Sequence, residues 1–73
     1  MANRITEAEL ERLYDDTIVE LYRFVSRRCG GQRDLAEDVT QETWVRALRL
    51  WRVKGVPENP IGWLTVVARN MIV

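Results

Sequence analysis

Asp34-Leu35-Ala36-Glu37-Asp38-Val39-Thr40-Gln41-Glu42-Thr43-Trp44-Val45-Arg46-Ala47-Leu48 is the stretch whose reading decides how this chain folds. Leu35, Ala36, Val39, Thr43, Ala47 and Leu48 recur at spacings of three and four, which predicts one helix face turned to a core. Trp51 is a further candidate for that face, and the small Ala36 and Ala47 let a neighbouring helix approach closely. Asp34 reads as the N-cap, with Glu37 placed to answer it. Asp34, Asp38, Gln41 and Glu42 share a second face, pointing away from the apolar stripe. Periodicity alone reads that face as solvated. The alternative is a docking surface, since carboxylates and an amide at this spacing can receive guanidinium forks from a basic partner.

Upstream, Thr6-Glu7-Ala8-Glu9 has the form of a capping box, in which two side chains satisfy orphaned backbone N–H groups. Leu10, Leu13, Tyr14, Ile18, Leu21, Tyr22 and Val25 then keep helical spacing until Gly30-Gly31 ends the element. Downstream, Val53-Lys54-Gly55-Val56-Pro57-Glu58 has no period and holds a Gly and a Pro, so a loop is predicted between Arg52 and Asn59. Asn59-Pro60 opens a third helix, because Pro at the first helical position lacks an N–H that would have no partner anyway. Its stripe is Ile61, Leu64, Val67, Ala68, Met71 and Ile72, with Trp63 beside it. No C-cap, Gly or Pro follows before Val73, so the helix is expected to run on in a longer protein. The fold class expected is all-α, a compact three-helix bundle forming one domain over residues 1–73.

Composition narrows the function. There is no histidine, and Cys29 is the only cysteine, so neither an intrachain disulfide nor a zinc site is expected. No apolar run of about 18 residues exists to span a membrane, and the start of the chain lacks the apolar core of a signal peptide. A cytoplasmic location with no membrane partner is the expectation. Net charge is zero, yet it is unevenly spread. Residues 43–73 carry Arg46, Arg49, Arg52, Lys54 and Arg69 against Glu58 alone, while acidic residues dominate the first 42. Such asymmetry fits two unlike partners, although short segments also vary this much by chance.

The Asp34–Leu48 stretch strongly resembles the second conserved region of bacterial extracytoplasmic-function (ECF) sigma factors. The resemblance resumes at Pro60-Ile61-Gly62-Trp63-Leu64-Thr65-Val66-Val67-Ala68-Arg69-Asn70, which is similar to that family's Trp-Leu…Ala-Arg-Asn helix. Asp-x-x-Gln-Glu alone is a weak signal; both blocks in this order and separation are a strong one. What the resemblance implies is a protein of transcription initiation, without catalytic residues, metal or cofactor of its own. It gives Asp38, Gln41 and Glu42 the role of binding the clamp helices of the RNA polymerase β′ subunit. It also implies capture of the non-template single strand of the −10 promoter element. By position, Lys54, Gly55, Val56 and Asn59 of the loop, with Asn70 of the last helix, would form a pocket for an extruded base. Arg49, Arg52 and Arg69 would hold phosphates. The family often carries an aromatic residue just before that pocket, where this chain has Arg52-Val53-Lys54. An anti-sigma protein covering the same surfaces is a further implied partner. The domain reading the upstream −35 element is not among the 73 residues, so the chain is read as a fragment.

The residues themselves leave duller readings open. Arg69 and Asn70 can be ordinary solvent-facing helix residues, and Trp63 reads as a core anchor. Core packing is the default for Trp44 and Trp51, with exposure of one of them for contact as the alternative. The competing function from another class is a protein–protein adaptor whose acidic face alone is used. An enzyme fits worst, since Cys29 has no activating base and Gly30-Gly31 is not followed by the Lys-Ser/Thr of a phosphate-binding loop.

Overall fold

Thr6 starts the first helix as its spacing predicts. Its Oγ1 accepts from the Glu9 N–H at 3.1 Å, and Glu9 Oε1 accepts from the Thr6 N–H at 2.8 Å. The backbone N–H and then the hydroxyl of Thr6 hold the Glu9 carboxyl below its ordinary value. A depressed carboxylate stabilises the helix end at neutral pH and loses that contribution as pH falls through its lowered pKa. A computed structural model describes residues 5–72, so Met1–Arg4 and the expected continuation of the last helix at Val73 lie outside the described residues. The elements are α1 (Glu7–Arg28), α2 (Arg33–Lys54) and α3 (Pro60–Ile72), with no strand among the described residues. The expected all-α three-helix bundle is the observed fold.

Gly30 and Gly31, at φ 61° and 82°, reverse the chain after α1 in a conformation that costs a residue with a Cβ about 1–2 kcal/mol. The reversal makes α1 and α2 an antiparallel pair. Arg52 near the end of α2 reaches Glu7 at the start of α1, Nη2 to Oε2 at 3.0 Å. Contrary to expectation, α2 is capped by Gln32, not Asp34, and Gln32 supplies no side-chain hydrogen bond. The Gln32 carbonyl already accepts from the Ala36 N–H at 3.0 Å, so Asp34 sits inside the first turn. There its charge favours the positive helix end without capping it.

The far end of α2 also differs from the sequence reading, because Val53 and Lys54 are helical and not part of the loop. Buried Trp51 anchors this turn, and no residue before Gly55 can stop it. Gly55, at φ 89°, donates its N–H to the Trp51 carbonyl at 2.8 Å and turns the chain away. Asn59 then caps α3, its Oδ1 accepting from the Gly62 N–H at 3.1 Å.

One core joins the three helices: Leu21, Val25 and Cys29 of α1, Ala36, Val39, Trp44, Ala47 and Trp51 of α2, and Leu64 and Ala68 of α3. Two members of the predicted stripes are exposed, Leu35 at 42% and Tyr14 at 41%. Residues outside the predicted stripes are buried instead, Thr17 on α1 and Thr40 and Trp44 on α2. Thr40 and Thr43 enter an apolar interior because each hydroxyl donates to the carbonyl four residues back, at 2.7 Å. Trp44 and Trp51 are core residues, and half-buried Trp63 packs against the same cluster. A chain of rings runs through it, with centroids 5.3 Å apart for Tyr14–Trp44, 5.4 Å for Trp44–Trp51 and 5.2 Å for Trp51–Trp63.

Candidate functional site

With most of its apolar side committed to the core, α2 displays charge on its exposed side, interspersed with Leu35, Val45, Leu50 and Val53. After Arg33 at its start, Asp34, Glu37, Asp38, Gln41 and Glu42 are exposed in its first half, and Arg46, Arg49, Arg52 and Lys54 in its second. The sign changes at an ion pair, Arg46 Nε to Glu42 Oε2 at 3.3 Å. One rigid element therefore carries two surfaces of opposite sign. Asp38, Gln41 and Glu42 share one solvent-facing side, as expected of residues three and four apart.

A feature the sequence reading missed adjoins this face. Between α1 and α2 lies an open groove of about 710 Å³ with Tyr14, Ile18, Val19 and Val45 among its lining residues. Gln41 lines it too, joining it to the acidic face, and Glu7, Glu11 and Glu37 contribute carboxylates. The available signal was Val19 and Val45, apolar residues lying off both predicted stripes.

The basic surface has two parts. At the end of α2, Arg49, Arg52 and Lys54 are exposed, Gly55 turns the chain, and Val56 is half-buried against the core. Arg52 is engaged by Glu7, so a phosphate must displace that carboxylate to take it. The fold brings Lys54, Gly55, Val56 and Asn59 together in one short connection. Arg69 and Asn70 are exposed on α3. Asn70 lies eleven residues beyond Asn59, roughly 16 Å along a helix rising 1.5 Å per residue. The loop residues and Asn70 thus stand several stacked bases apart, at about 3.4 Å each.

Asn59 carries two demands at once. Its Oδ1 is taken by the α3 cap, and a Cβ placed at Gly62 would lie 2.7 Å from its Nδ2. The two amide N–H groups remain free to meet a base acceptor, while Oδ1 keeps one lone pair beside the cap. Asn59→Ala should cost about 1 kcal/mol of stability through the lost cap. Asn59→Asp keeps the capping oxygen and removes the donors. Thermal melts read the first effect and DNA binding the second, and a melt of Asn59→Ala that matches the parent would remove the capping role.

Among the described residues no group of three or more His, Cys, Asp or Glu side chains could hold a metal ion. No described helix is long and apolar enough to cross a membrane.

A three-helix domain with this split middle helix has a family. The chain belongs to the sigma-70 region 2 family, whose match covers residues 13–73. It is 40% identical over 62 residues to the ECF RNA polymerase sigma factor BldN of Streptomyces coelicolor, covering 84% of this chain and 23% of that protein. It is 45% identical over 69 residues to the ECF RNA polymerase sigma factor SigL of Mycobacterium tuberculosis, covering 92% of this chain and 38% of that protein. Within the family it is therefore a region 2 domain of the ECF kind, and it spans well under half the length of these two relatives. No solved structure gives a significant match.

Proposed function

We propose that this domain acts in transcription initiation by holding RNA polymerase core with one half of α2 and promoter DNA with the other. Asp38, Gln41 and Glu42 receive basic side chains of the β′ clamp helices. The adjoining apolar groove suits such a partner, because a stable protein interface needs an apolar centre beside its polar rim. The DNA surface takes the non-template strand of the −10 element. Arg49, Arg52 and Arg69 hold phosphates, and the connection of Lys54, Gly55, Val56 and Asn59 receives an extruded base. Asn70, displaced along α3, meets a different nucleotide. The domain does no bond chemistry; polymerase supplies that. The work is done in the cytoplasm, and an anti-sigma protein covering these faces would silence both.

The observation that carries this reading is the opposite charge of the two exposed halves of one helix. Extruding a base costs a few kcal/mol of unstacking, so contacts to the exposed base must offset it. Arginines add a salt-dependent grip that does not depend on sequence. Binding to single-stranded hexamers with one base varied at a time tests the division of roles. Asn70→Ala should flatten discrimination at one position, whereas Arg52→Ala should weaken every hexamer about equally and reduce the salt slope by about 0.7. Equal losses across all hexamers for both variants would remove the base-reading role. No binding of any hexamer by the intact fold would favour a protein–protein adaptor.

A further inference from the structure

The end of the molecule opposite Arg52 carries a second concentration of positive charge. From Leu21 to Arg33 the chain holds Arg23, Arg27, Arg28 and Arg33 and no Asp or Glu. All four are exposed. The two ion pairs among the described residues engage Arg46 and Arg52, and none of these four. Arg23 and Arg27 are four apart on α1, so they lie on one face and repel each other. Arg27 and Arg28 suit the negative end of the α1 dipole, which gives those two an ordinary structural reason. Arg33 has the opposite setting: it is the first residue of α2, at the positive end of that dipole, where a cation is unfavourable. Arg28 is steadied over the Phe24 ring, 4.9 Å from its centroid. Nothing overhangs the turn, since a Cβ added at Gly30 or Gly31 would meet no atom within 4 Å. Glu20, three residues before Arg23, and Glu37, four after Arg33, offset part of the repulsion, and the open end keeps a net positive charge that a polyanion would neutralise.

We infer that the α1–α2 turn is a second DNA-binding surface, contacting the phosphate backbone of duplex DNA through Arg23, Arg27, Arg28 and Arg33 without reading sequence. A phosphate backbone fits better than a lipid surface. Cationic membrane-binding patches pair their charges with apolar residues that insert, and Leu35 is the only exposed large hydrophobic near this turn in the chain. An acidic protein fits less well for the same reason, lacking an apolar centre to bury. The length suits a duplex. α2 separates the turn from the Arg52 end by 22 residues of helix, roughly 32 Å at 1.5 Å per residue. That is the axial span of about nine or ten base pairs at 3.4 Å each. One bound duplex can therefore lie beside the strand-capturing end and still reach these arginines.

The test is fluorescence anisotropy of the 73-residue chain with a labelled 20-base-pair duplex of arbitrary sequence, across a salt series. The triple variant Arg23→Ala, Arg27→Ala, Arg33→Ala leaves Arg28 on Phe24. It should bind the duplex about ten-fold more weakly and lower the slope of log affinity against log salt by about 2.7, at 0.9 for each phosphate no longer neutralised. Its discrimination among single-stranded hexamers should be unchanged, which separates this surface from the strand-capturing one. The matching triple Lys variant should recover most of the affinity, and circular dichroism melts show whether both remain folded. An unchanged slope in a folded Ala variant would overturn the inference. So would a parent chain that ignores the duplex, or one that binds phosphatidylglycerol vesicles in its place.

Discussion

Trp51→Ala should lower the stability of this domain by about 3–5 kcal/mol, the range for removing a large aromatic side chain from a packed core. Trp51 is 1% exposed and the largest fully buried side chain among the described residues. It stacks edge-on against both Trp44 and Trp63, so its loss also removes two aromatic contacts worth about 0.5–1.5 kcal/mol each beyond burial. One effect runs the other way. The Trp51 indole N–H is buried without a hydrogen-bond partner, a cost of about 1–3 kcal/mol that the substitution relieves. The loss should still sit toward the lower part of the stated range. A domain of this size has total stability on the order of 4–11 kcal/mol, so the variant should be marginally folded at room temperature. Its melting temperature should fall by at least about 12 °C, at 4 °C or more per kcal/mol. Trp51→Phe keeps a ring between its neighbours and removes the unpartnered donor, so its loss should be well under half as large. Melts followed by circular dichroism decide the matter. If Trp51→Ala melts within a few degrees of the parent, the chain of rings does not hold the helices together.

That dependence on tertiary packing explains which features were legible in the sequence. Thr6-x-x-Glu9 and Asn59-Pro60 could be read directly, because a cap is closed by residues three or four apart in the chain. Asp34 misled because its type suits a cap, while the register of α2 was set by Gln32, a poor cap. Thr40 and Trp44 were left out of the buried face for different reasons. A hydroxyl reads as polar until its bond to the Ala36 carbonyl is seen, and an indole suits either a core or a contact surface until its neighbours are known. Val53 and Lys54 read as loop because no apolar period reaches them, yet a helix anchored by Trp51 continues until Gly55 releases it. The acidic face was legible since helical spacing alone puts Asp38, Gln41 and Glu42 together. The groove between α1 and α2 and the Arg52–Glu7 pair were not, being made by residues far apart in the chain. Dividing the charge at residue 42 likewise averaged Arg23, Arg27, Arg28 and Arg33 into an acidic half and hid the basic turn.

Reversing the acidic face should have the largest effect on partner binding. Asp38→Arg combined with Glu42→Arg should weaken binding to RNA polymerase core by about 100-fold or more, since like charges brought together across an interface cost several kcal/mol and each 1.4 kcal/mol is ten-fold. Both residues are exposed and outside the core, so the fold has little stake in them. The double substitution replaces the Glu42–Arg46 pair, worth about 0.3–0.5 kcal/mol, by two i,i+4 repulsions of similar size along residues 38, 42 and 46, about 1–1.5 kcal/mol in all. The melting temperature should therefore fall by only about 4–12 °C, leaving the domain folded at the binding temperature while affinity collapses. Net charge needs its own control. Asp15→Arg with Asp16→Arg makes the same change on exposed positions of α1. That variant should retain affinity within a few-fold at 0.15 M salt, where charges beyond about 8 Å are largely screened. Should the two double variants lose affinity equally, polymerase binding would reflect overall charge and not the geometry of α2. If the Asp38 and Glu42 variant binds as well as the parent, the docking surface is elsewhere on the domain. The groove floor at Tyr14 and Val45 would then be the surface to substitute next.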